Sequence, residues 1–124
     1  MTRTPDELVT EFCALWASPD ADRLAEFFAE DAVYHNIPME PVSGREAIRE
    51  FIAGFTAGYD GIDFAIRHQV VSGAVVMNER VDTLRRKDGV AVDLPVTGVF
   101  EIVDDRIKHW RDYFDLAMFT KAMG

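Results

Sequence analysis

The hydrophobic pattern of the chain changes its period near Gly61, and this change most limits the folds that the chain can adopt. Before Gly61, apolar residues recur at the spacing of helical turns. After Gly61, apolar and polar residues alternate along several long stretches, which is typical of half-buried strands. Helices followed by consecutive strands predict an α+β fold that contains an antiparallel meander.

The first half of the chain carries three helix signals. The sequence TPDE (4–7) predicts a helix start, with threonine as the N-cap and proline at the first helical position. Residues 18–20 end this helix, and a second short helix is predicted after them. Ser43, with Glu46 three residues later, predicts a capping box at the start of a third helix. Residues 32–38 predict a short strand between the last two helices.

Turn signals made of glycine and aspartate divide the second half of the chain. The elements that they separate are four predicted strands and a last helix, at residues 61–72, 74–86, 90–103, 107–114 and 115–122. A strongly curved sheet wrapped over three to four helices would form a cone with an internal cavity. We therefore expect a single domain over residues 1–124.

Composition and charge limit the partners of the chain. The net charge of −9 opposes binding to nucleic acid and to anionic membranes. No apolar run approaches the ~18 residues of a membrane span, and the N-terminus lacks a signal-peptide pattern, so we expect a cytoplasmic protein. Cys13 is the one cysteine, and the histidines lie far apart without ligand spacing. We expect no disulfide, no metal site and no cofactor.

Polar side chains interrupt the apolar pattern on three predicted strands. Tyr34 and Asn36 share one face of the first strand, and Arg80 and Asp82 share one face of a later strand. Asp112 shares its face with two large aromatic residues. A buried carboxylate is costly unless it is paired, and the planar fork of arginine is the natural partner for two carboxylates.

Each of these motifs also has an ordinary interpretation. An Arg-x-Asp pair on a strand is most often an exposed salt bridge, and Tyr-x-Asn at a strand end usually belongs to a turn. A lone aspartate near a strand end is usually solvated. Within NERVD (78–82), Asn78 and Glu79 are expected to carry no chemistry. The conjunction of all three motifs on strands that would line one cavity favours a functional site.

The three motifs together resemble those of the limonene-1,2-epoxide hydrolase family. This family has the cone-shaped α+β fold, called NTF2-like or SnoaL-like, that nuclear transport factor 2 and ketosteroid isomerase share. The matching residues are YHN (34–36), RVD (80–82) and the first aspartate of WRDYFD, Asp112, in the same order and at matching intervals. The resemblance covers nearly the whole chain.

The resemblance implies a role for each polar residue. Asp112 would be the general base that deprotonates a water molecule, and Tyr34 and Asn36 would hold that water. Asp82 would be the protonated acid that donates to the epoxide oxygen. Arg80 would bridge the two aspartates. The implied reaction passes through no covalent intermediate.

Strand parity predicts that the rest of the cavity is apolar. The residues that share the faces of the polar motifs, or the apolar faces of neighbouring strands, are Val76, Leu84, Leu94, Val96, Phe114 and His68. His68 is interpreted as a hydrogen-bonded core or pocket histidine. An apolar pocket with polar groups at one end suits a lipophilic epoxide, terpene-like or cycloaliphatic, with water as the second substrate.

Other functions on the same fold stay open. A polyketide cyclase or an isomerase-type enzyme would also use a late aspartate as its acid or base. Ketosteroid isomerase needs a carboxylate base in the first-strand region, where this chain has Asn36. A module that only binds a small ligand or forms dimers would use the charged cluster as a structural ion network. The open sheet face of this fold often pairs, so we expect a homodimer.

Overall fold

The described part of the chain, residues 3–122 of a computed structural model, forms one curved six-stranded sheet and four helices. Among these residues no helix is long and apolar enough to cross a membrane. The elements in chain order are α1 (Pro5–Leu15), α2 (Ala21–Ala25), β1 (Phe28–Asn36), β2 (Val42–Ser43), α3 (Arg45–Thr56), β3 (Tyr59–Ser72), β4 (Val75–Arg86), β5 (Ala91–Val103), β6 (Arg106–Tyr113) and α4 (Leu116–Ala122).

The strands lie in the order β2-β1-β6-β5-β4-β3. Strands β3 to β6 form the predicted antiparallel meander. Strand β1 pairs in parallel with β6, which places Asn36 opposite Asp112. The predicted α+β class and the predicted cone architecture are therefore confirmed. The two-residue strand β2 was not predicted, because no pattern in the sequence indicates it.

The predicted starts of α1 and α3 have different outcomes. At α1 the N-cap is Thr4 with Pro5 at the first helical position, as predicted. The structure adds a capping box there, in which the Thr4 hydroxyl accepts from the Glu7 amide and the Glu7 carboxylate accepts from the Thr4 amide. At α3 the prediction is wrong, because the N-cap is Gly44 with φ of 94° and no side-chain cap hydrogen bond. Ser43 instead pairs with Val33 in the sheet.

A register shift in β3 changes which residues face the core. The pairing of β3 with β4 slips between Ile66 and His68, as at a β-bulge. A bulge inverts the alternation of a strand beyond it. His68 therefore lies opposite Glu79 on the outer face, and Gln69 lies opposite Asn78 on the inner face. The regular alternation in the sequence cannot show this inversion.

An aromatic layer forms the part of the core beside the polar residues. The Trp110 ring stacks on Tyr34, with 4.2 Å between centroids, and on Phe100, at 5.3 Å. Phe12 of α1 meets Trp110 edge-on at 5.0 Å. This helix-to-sheet packing buries Trp110 completely. Two residues further along β1 and β6, the inner face becomes polar.

Candidate active site

The polar residues form a row across the sheet. Asn36 of β1 lies opposite Asp112 of β6, which lies opposite Gly98 of β5, which in turn lies opposite Asn78 of β4. Arg80 follows Asn78 on the same face of β4, because side chains two apart on a strand point the same way. The register thus brings together groups that are far apart in the sequence.

Arg80 joins two aspartates in a buried cluster. Its Nε and Nη2 donate to the two carboxyl oxygens of Asp82, at 3.0 and 2.9 Å. Its Nη2 and Nη1 donate to the oxygens of Asp112, at 2.8 and 3.3 Å. The side chains of Arg80, Asp82 and Asp112 are 0%, 8% and 6% exposed. The sequence-predicted triad is therefore a contiguous cluster in the structure.

Gly98 and Phe64 shape the space that the guanidinium occupies. A Cβ atom at Gly98 would lie 2.5 Å from Arg80 Nη1 and 2.8 Å from Asp112 Oδ1, so a larger residue would displace the cluster. The Arg80 Cζ lies 4.4 Å from the centroid of the Phe64 ring, a cation–π contact. A glycine inside an alternating strand often marks such a close approach.

Asp112 receives hydrogen bonds from two residues. Besides Arg80, the indole Nε1 of Trp110 donates to Asp112 Oδ1 at 2.7 Å. A buried carboxyl group needs such donors, because removing it from water without hydrogen bonds is costly. This set of donors suits a carboxylate that accepts a proton during a reaction.

The surroundings of Asp82 favour its protonated form more than water does. Burial raises the pKa of its carboxyl group, Arg80 lowers the pKa in part, and the negative charge of Asp112 raises it. The net shift is upward, so burial and the charge of Asp112 together outweigh the effect of Arg80 on this pKa. A protonated carboxyl keeps acceptor sites for Arg80 while its O–H donates elsewhere.

Tyr34 and Asn36 stand beside Asp112 at the polar end of the site. The Tyr34 hydroxyl donates to Asn36 Oδ1 at 3.3 Å. Burial raises the pKa of the Tyr34 phenol, which therefore stays a neutral hydrogen-bond donor. These three side chains line the same cavity and offer both donors and acceptors to a small polar molecule.

The cavity has a volume of about 210 Å³. Its polar groups are those of Asp82, Asp112, Asn36 and Tyr34, and the rest of its wall is largely apolar. Aromatic residues make up much of this wall: Trp16, Tyr34, Phe51, Phe55, Phe64, Phe114 and Phe119. This volume lies below the range of drug-sized pockets, so the cavity fits a small lipophilic molecule.

Two of the predicted pocket residues do not line the cavity. The His68 side chain is 81% exposed on the outer face, because the bulge in β3 inverts its direction. Val76 is fully buried in the core opposite Phe100. The other predicted pocket residues do line the cavity: Leu84, Leu94, Val96 and Phe114.

Several residues of the site escape sequence reasoning. Asn78, for which the sequence predicts no chemistry, accepts from Arg80 Nη1 at 3.0 Å. Gly98 carries a usable signal, since a glycine in a strand interior often marks a close approach, but no motif points to it. Phe51 and Phe55 of α3 read as core residues, because an apolar helix stripe looks the same against a core and against a cavity.

The fold and the site together define a class of protein: an NTF2-like cone whose cavity ends in a buried Asp–Arg–Asp cluster. The sequence model of the limonene-1,2-epoxide hydrolase catalytic domain matches residues 4–124. The chain belongs to this family.

Individual relatives agree with this assignment. The epoxide hydrolase EphG of Mycobacterium tuberculosis is 32% identical over 115 residues, which are 93% of this chain and 76% of the relative. The structure of an LEH-like epoxide hydrolase from the same organism superposes with a TM-score of 0.83 and 30% identity, covering 97% of this chain and 89% of the other. A protein described as a SnoaL-like polyketide cyclase from Shewanella putrefaciens has a TM-score of 0.85 at 16% identity, covering 97% and 86% of the two chains, which shows a shared fold.

Proposed function

We propose that the protein is an epoxide hydrolase that adds water to a small lipophilic epoxide and releases a vicinal diol. The observation that carries this proposal is the Asp82–Arg80–Asp112 cluster at the end of an aromatic cavity. Membership of the family and the likeness to EphG support the same activity.

In the proposed reaction, Asp112 acts as the general base. A water molecule would sit among Asp112, Tyr34 and Asn36, where it meets a carboxylate, a hydroxyl and an amide. Asp112 accepts a proton from this water as the water oxygen attacks an epoxide carbon. The hydrogen bond from Trp110 and those from Arg80 keep the carboxylate oriented while it waits for that proton.

Asp82 acts as the general acid in the same step. The epoxide carbon–oxygen bond breaks as the new one forms, and the proton of Asp82 passes to the leaving oxygen. The raised pKa of Asp82 keeps that proton available. The cycle closes when Asp112 loses its proton to the surroundings and Asp82 regains one. Side chains supply both proton transfers, so we expect turnover to continue in the presence of EDTA.

Arg80 holds the two carboxyl groups in one geometry. Its planar fork contacts both, and its charge offsets part of their mutual repulsion. The protonation states of the two aspartates are coupled through this shared cation. A terpene-like or cycloaliphatic epoxide matches the apolar wall, because none of the described residues that line the cavity is basic and could bind an anionic substrate.

A panel of racemic aryl, cyclic and terpene epoxides tests the activity. Diol formation that depends on the enzyme supports the proposal, and the enantiomeric composition of the diol shows how the wall orients the substrate. Conversion of a polyketide substrate to a cyclic product, with no diol from any epoxide, would favour a cyclase. Binding without turnover would favour a ligand-binding module.

A single-turnover reaction in ¹⁸O-labelled water tests the mechanism. Direct attack by water places the label in the first diol formed. Attack by a carboxylate would transfer an unlabelled enzyme oxygen to that diol, and the label would enter the protein instead. Unlabelled first-turnover diol would therefore contradict the one-step mechanism while leaving the activity in place.

We further propose that the protein forms a homodimer through the outer face of the sheet and works in the cytoplasm. Large apolar side chains on that face are exposed: Met77 is 43%, Tyr113 45% and Val103 51% accessible. Exposed apolar patches often mark interfaces between copies. Light scattering should give twice the chain mass, and Met77→Lys should shift the protein to the monomer.

A further inference from the structure

Asn78 occupies a position that the proposed mechanism does not explain. Its side chain is an uncharged amide on the inner face of β4, and the residue is 2% exposed. The carbonyl oxygen accepts from Arg80 Nη1 at 3.0 Å. The amide nitrogen donates to Gln69 Oε1 at 3.0 Å and lies 3.9 Å from the Cys13 sulfur. A polar residue this deeply buried needs such partners.

The carbonyl of Asn78 completes the hydrogen bonding of the guanidinium. Arginine has five N–H groups. Four of them face the carboxyl oxygens of Asp82 and Asp112, and the remaining one meets Asn78. Nη1 is shared between Asn78 at 3.0 Å and Asp112 at 3.3 Å. Asn78 therefore sets how far the fork can rotate toward either carboxyl group.

The direction of the Asn78 amide is set from outside the cavity. The Gln69 Nε2 donates to Asp6 Oδ1 at 2.7 Å and to Thr10 Oγ1 at 3.0 Å, both on α1. A reversed Gln69 would point its oxygen at the Asp6 carboxylate, which repels it. Gln69 therefore presents its oxygen to Asn78, and Asn78 must present its own oxygen to Arg80. The bulge in β3 is what turns Gln69 inward for this role.

We propose that Asn78, oriented by Gln69, is the positioning residue that holds the Arg80 fork in the rotation that serves both aspartates. The proposal rests on the proposed acid–base function of the cluster. An uncharged amide suits this position, because a third carboxylate would add negative charge to a buried cluster in which one arginine already faces two carboxyl groups. The residue acts through Arg80 and does not touch the substrate.

A purely structural role for Asn78 makes a different prediction. In that case the amide chain would only tie α1 to the sheet, and a change would lower stability without altering the titration of the cluster. The groups that set the protonation of Asp82 are Arg80 on its own strand and Asp112 on β6, with Tyr34 of β1 and the Cys13 thiol of α1 nearby. The pH dependence of kcat would change only if the Arg80 guanidinium moved relative to these groups.

The test compares kcat, KM and pH profiles of Asn78→Leu and Gln69→Leu with those of the wild type. In Asn78→Leu the guanidinium loses an acceptor and moves. We expect kcat to fall about ten- to a hundredfold while KM changes by about twofold or less. A displaced Arg80 lowers the pKa of Asp82 less, so the alkaline limb of kcat should move to higher pH. Gln69→Leu should produce the same changes at a smaller size.

Val76→Ala is the matched control. Val76 lies two residues before Asn78 on the same face of β4 and is fully buried, but it belongs to the apolar layer. This change should lower stability and leave the pH limbs in place. A wild-type kcat and pH profile in Asn78→Leu or in Gln69→Leu would overturn the proposal, as would an equal shift in Val76→Ala. If Asn78→Leu does not fold, Gln69→Leu decides the question, because Gln69 is only half-buried.

A substrate-free measurement separates this proposal from the proposed function. Carboxyl-carbon NMR of protein labelled at aspartate, with Asp82 assigned through Asp82→Asn, follows the titration of Asp82 directly. We expect its midpoint to rise in Asn78→Leu and in Gln69→Leu, and to stay unchanged in Val76→Ala. An unchanged midpoint in the first two variants would overturn the proposal. The absence of diol from every epoxide, with these midpoints shifted, would refute only the epoxide hydrolase activity.

Discussion

The chain carries one short pattern twice, Arg80-Val81-Asp82 in the middle of β4 and Arg86-Lys87-Asp88 at its end. In each case Nη2 of the arginine contacts Oδ2 of the aspartate two residues later, at 2.9 Å and 2.6 Å. The surroundings differ. The first pair is 0% and 8% exposed, and the second is 29% and 51% exposed.

The pKa values of the two aspartates shift in opposite directions, although each arginine by itself lowers the pKa of its aspartate. Burial raises the pKa of Asp82 although Arg80 contacts both of its oxygens. The pKa of Asp88 is lowered, chiefly by the hydrogen bond from the Val90 amide, with a contribution from Arg86. The same pattern is thus an exposed ion pair whose aspartate has a lowered pKa, and a buried one whose aspartate has a raised pKa. The pKa values differ because Asp82 is removed from water and lies near a second carboxyl group, that of Asp112.

Removing either buried carboxylate should have the largest effect on turnover. Asp82→Asn abolishes the proton donor, and Asp112→Asn abolishes the base. Each should lower kcat for diol formation by about a thousandfold or more, because general acid or base catalysis and the geometry of the cluster are lost together. Asp88→Asn is the matched control and should keep the wild-type kcat. Near-native rates in either buried variant would contradict the assigned roles, provided that circular dichroism shows an intact fold.

The second-largest effect should come from replacing Arg80 by lysine, with Arg86→Lys as the comparison. An ammonium group cannot reproduce the planar fork that contacts Asp82 and Asp112, so Arg80→Lys should lower kcat by about a hundredfold. It should destabilise the fold by about 1–3 kcal/mol, because buried carboxyl oxygens lose their donors. Arg86→Lys should change neither quantity measurably. Urea unfolding and steady-state kinetics on both variants provide the measurement. Equal losses at the two positions would mean that burial does not distinguish the pairs.

Filling the space beside Arg80 should have a smaller effect on turnover. In Gly98→Ala the new methyl group would meet the guanidinium and Asp112, so the cluster must shift, and we expect kcat to fall about tenfold or more. Gly54→Ala in α3 is the control, since a Cβ there meets nothing within 4 Å. The control should stabilise the helix by about 0.5–1 kcal/mol with unchanged kcat. Wild-type kinetics of Gly98→Ala would show that the close approach is not needed.

The smallest difference between the two pairs should lie in how Asp82 and Asp88 change the free energy of unfolding with pH. Their contributions should have slopes of opposite sign. The folded pKa of Asp82 is raised, so its contribution favours the folded state at low pH and is lost as pH rises through that pKa. The folded pKa of Asp88 is lowered, so its contribution is present above the unfolded pKa and is lost as pH falls through the folded one. Urea unfolding of the wild type, Asp82→Asn and Asp88→Asn across a pH series measures both. If the contributions of Asp82 and Asp88 to the free energy of unfolding changed with pH in the same direction, the opposite pKa shifts of the two residues would be contradicted.

Much of the architecture could be predicted from local signals. The change of period near Gly61, the turn residues and the helix start at Thr4 are features of neighbouring residues, and the structure places the elements within a few residues of the predicted bounds. One failure occurs where a single residue changes the phase of the alternation in β3. The bulge after Ile66 moved His68 outward and Gln69 inward, and no local signal marks that bulge.

The sequence by itself determined the order of elements, the residues that alternate, and the presence of Tyr34, Asn36, Arg80, Asp82 and Asp112 on strands. Periodicity is a local property, so the chain displays it before folding. Only the tertiary structure decided which Arg-x-Asp pattern is buried, which amide meets Arg80, and that Gly98 leaves room for the cluster. These features depend on register and desolvation between strands that are distant along the chain. The Arg80–Asp82 pair differs from an exposed ion pair because other strands remove the water around it.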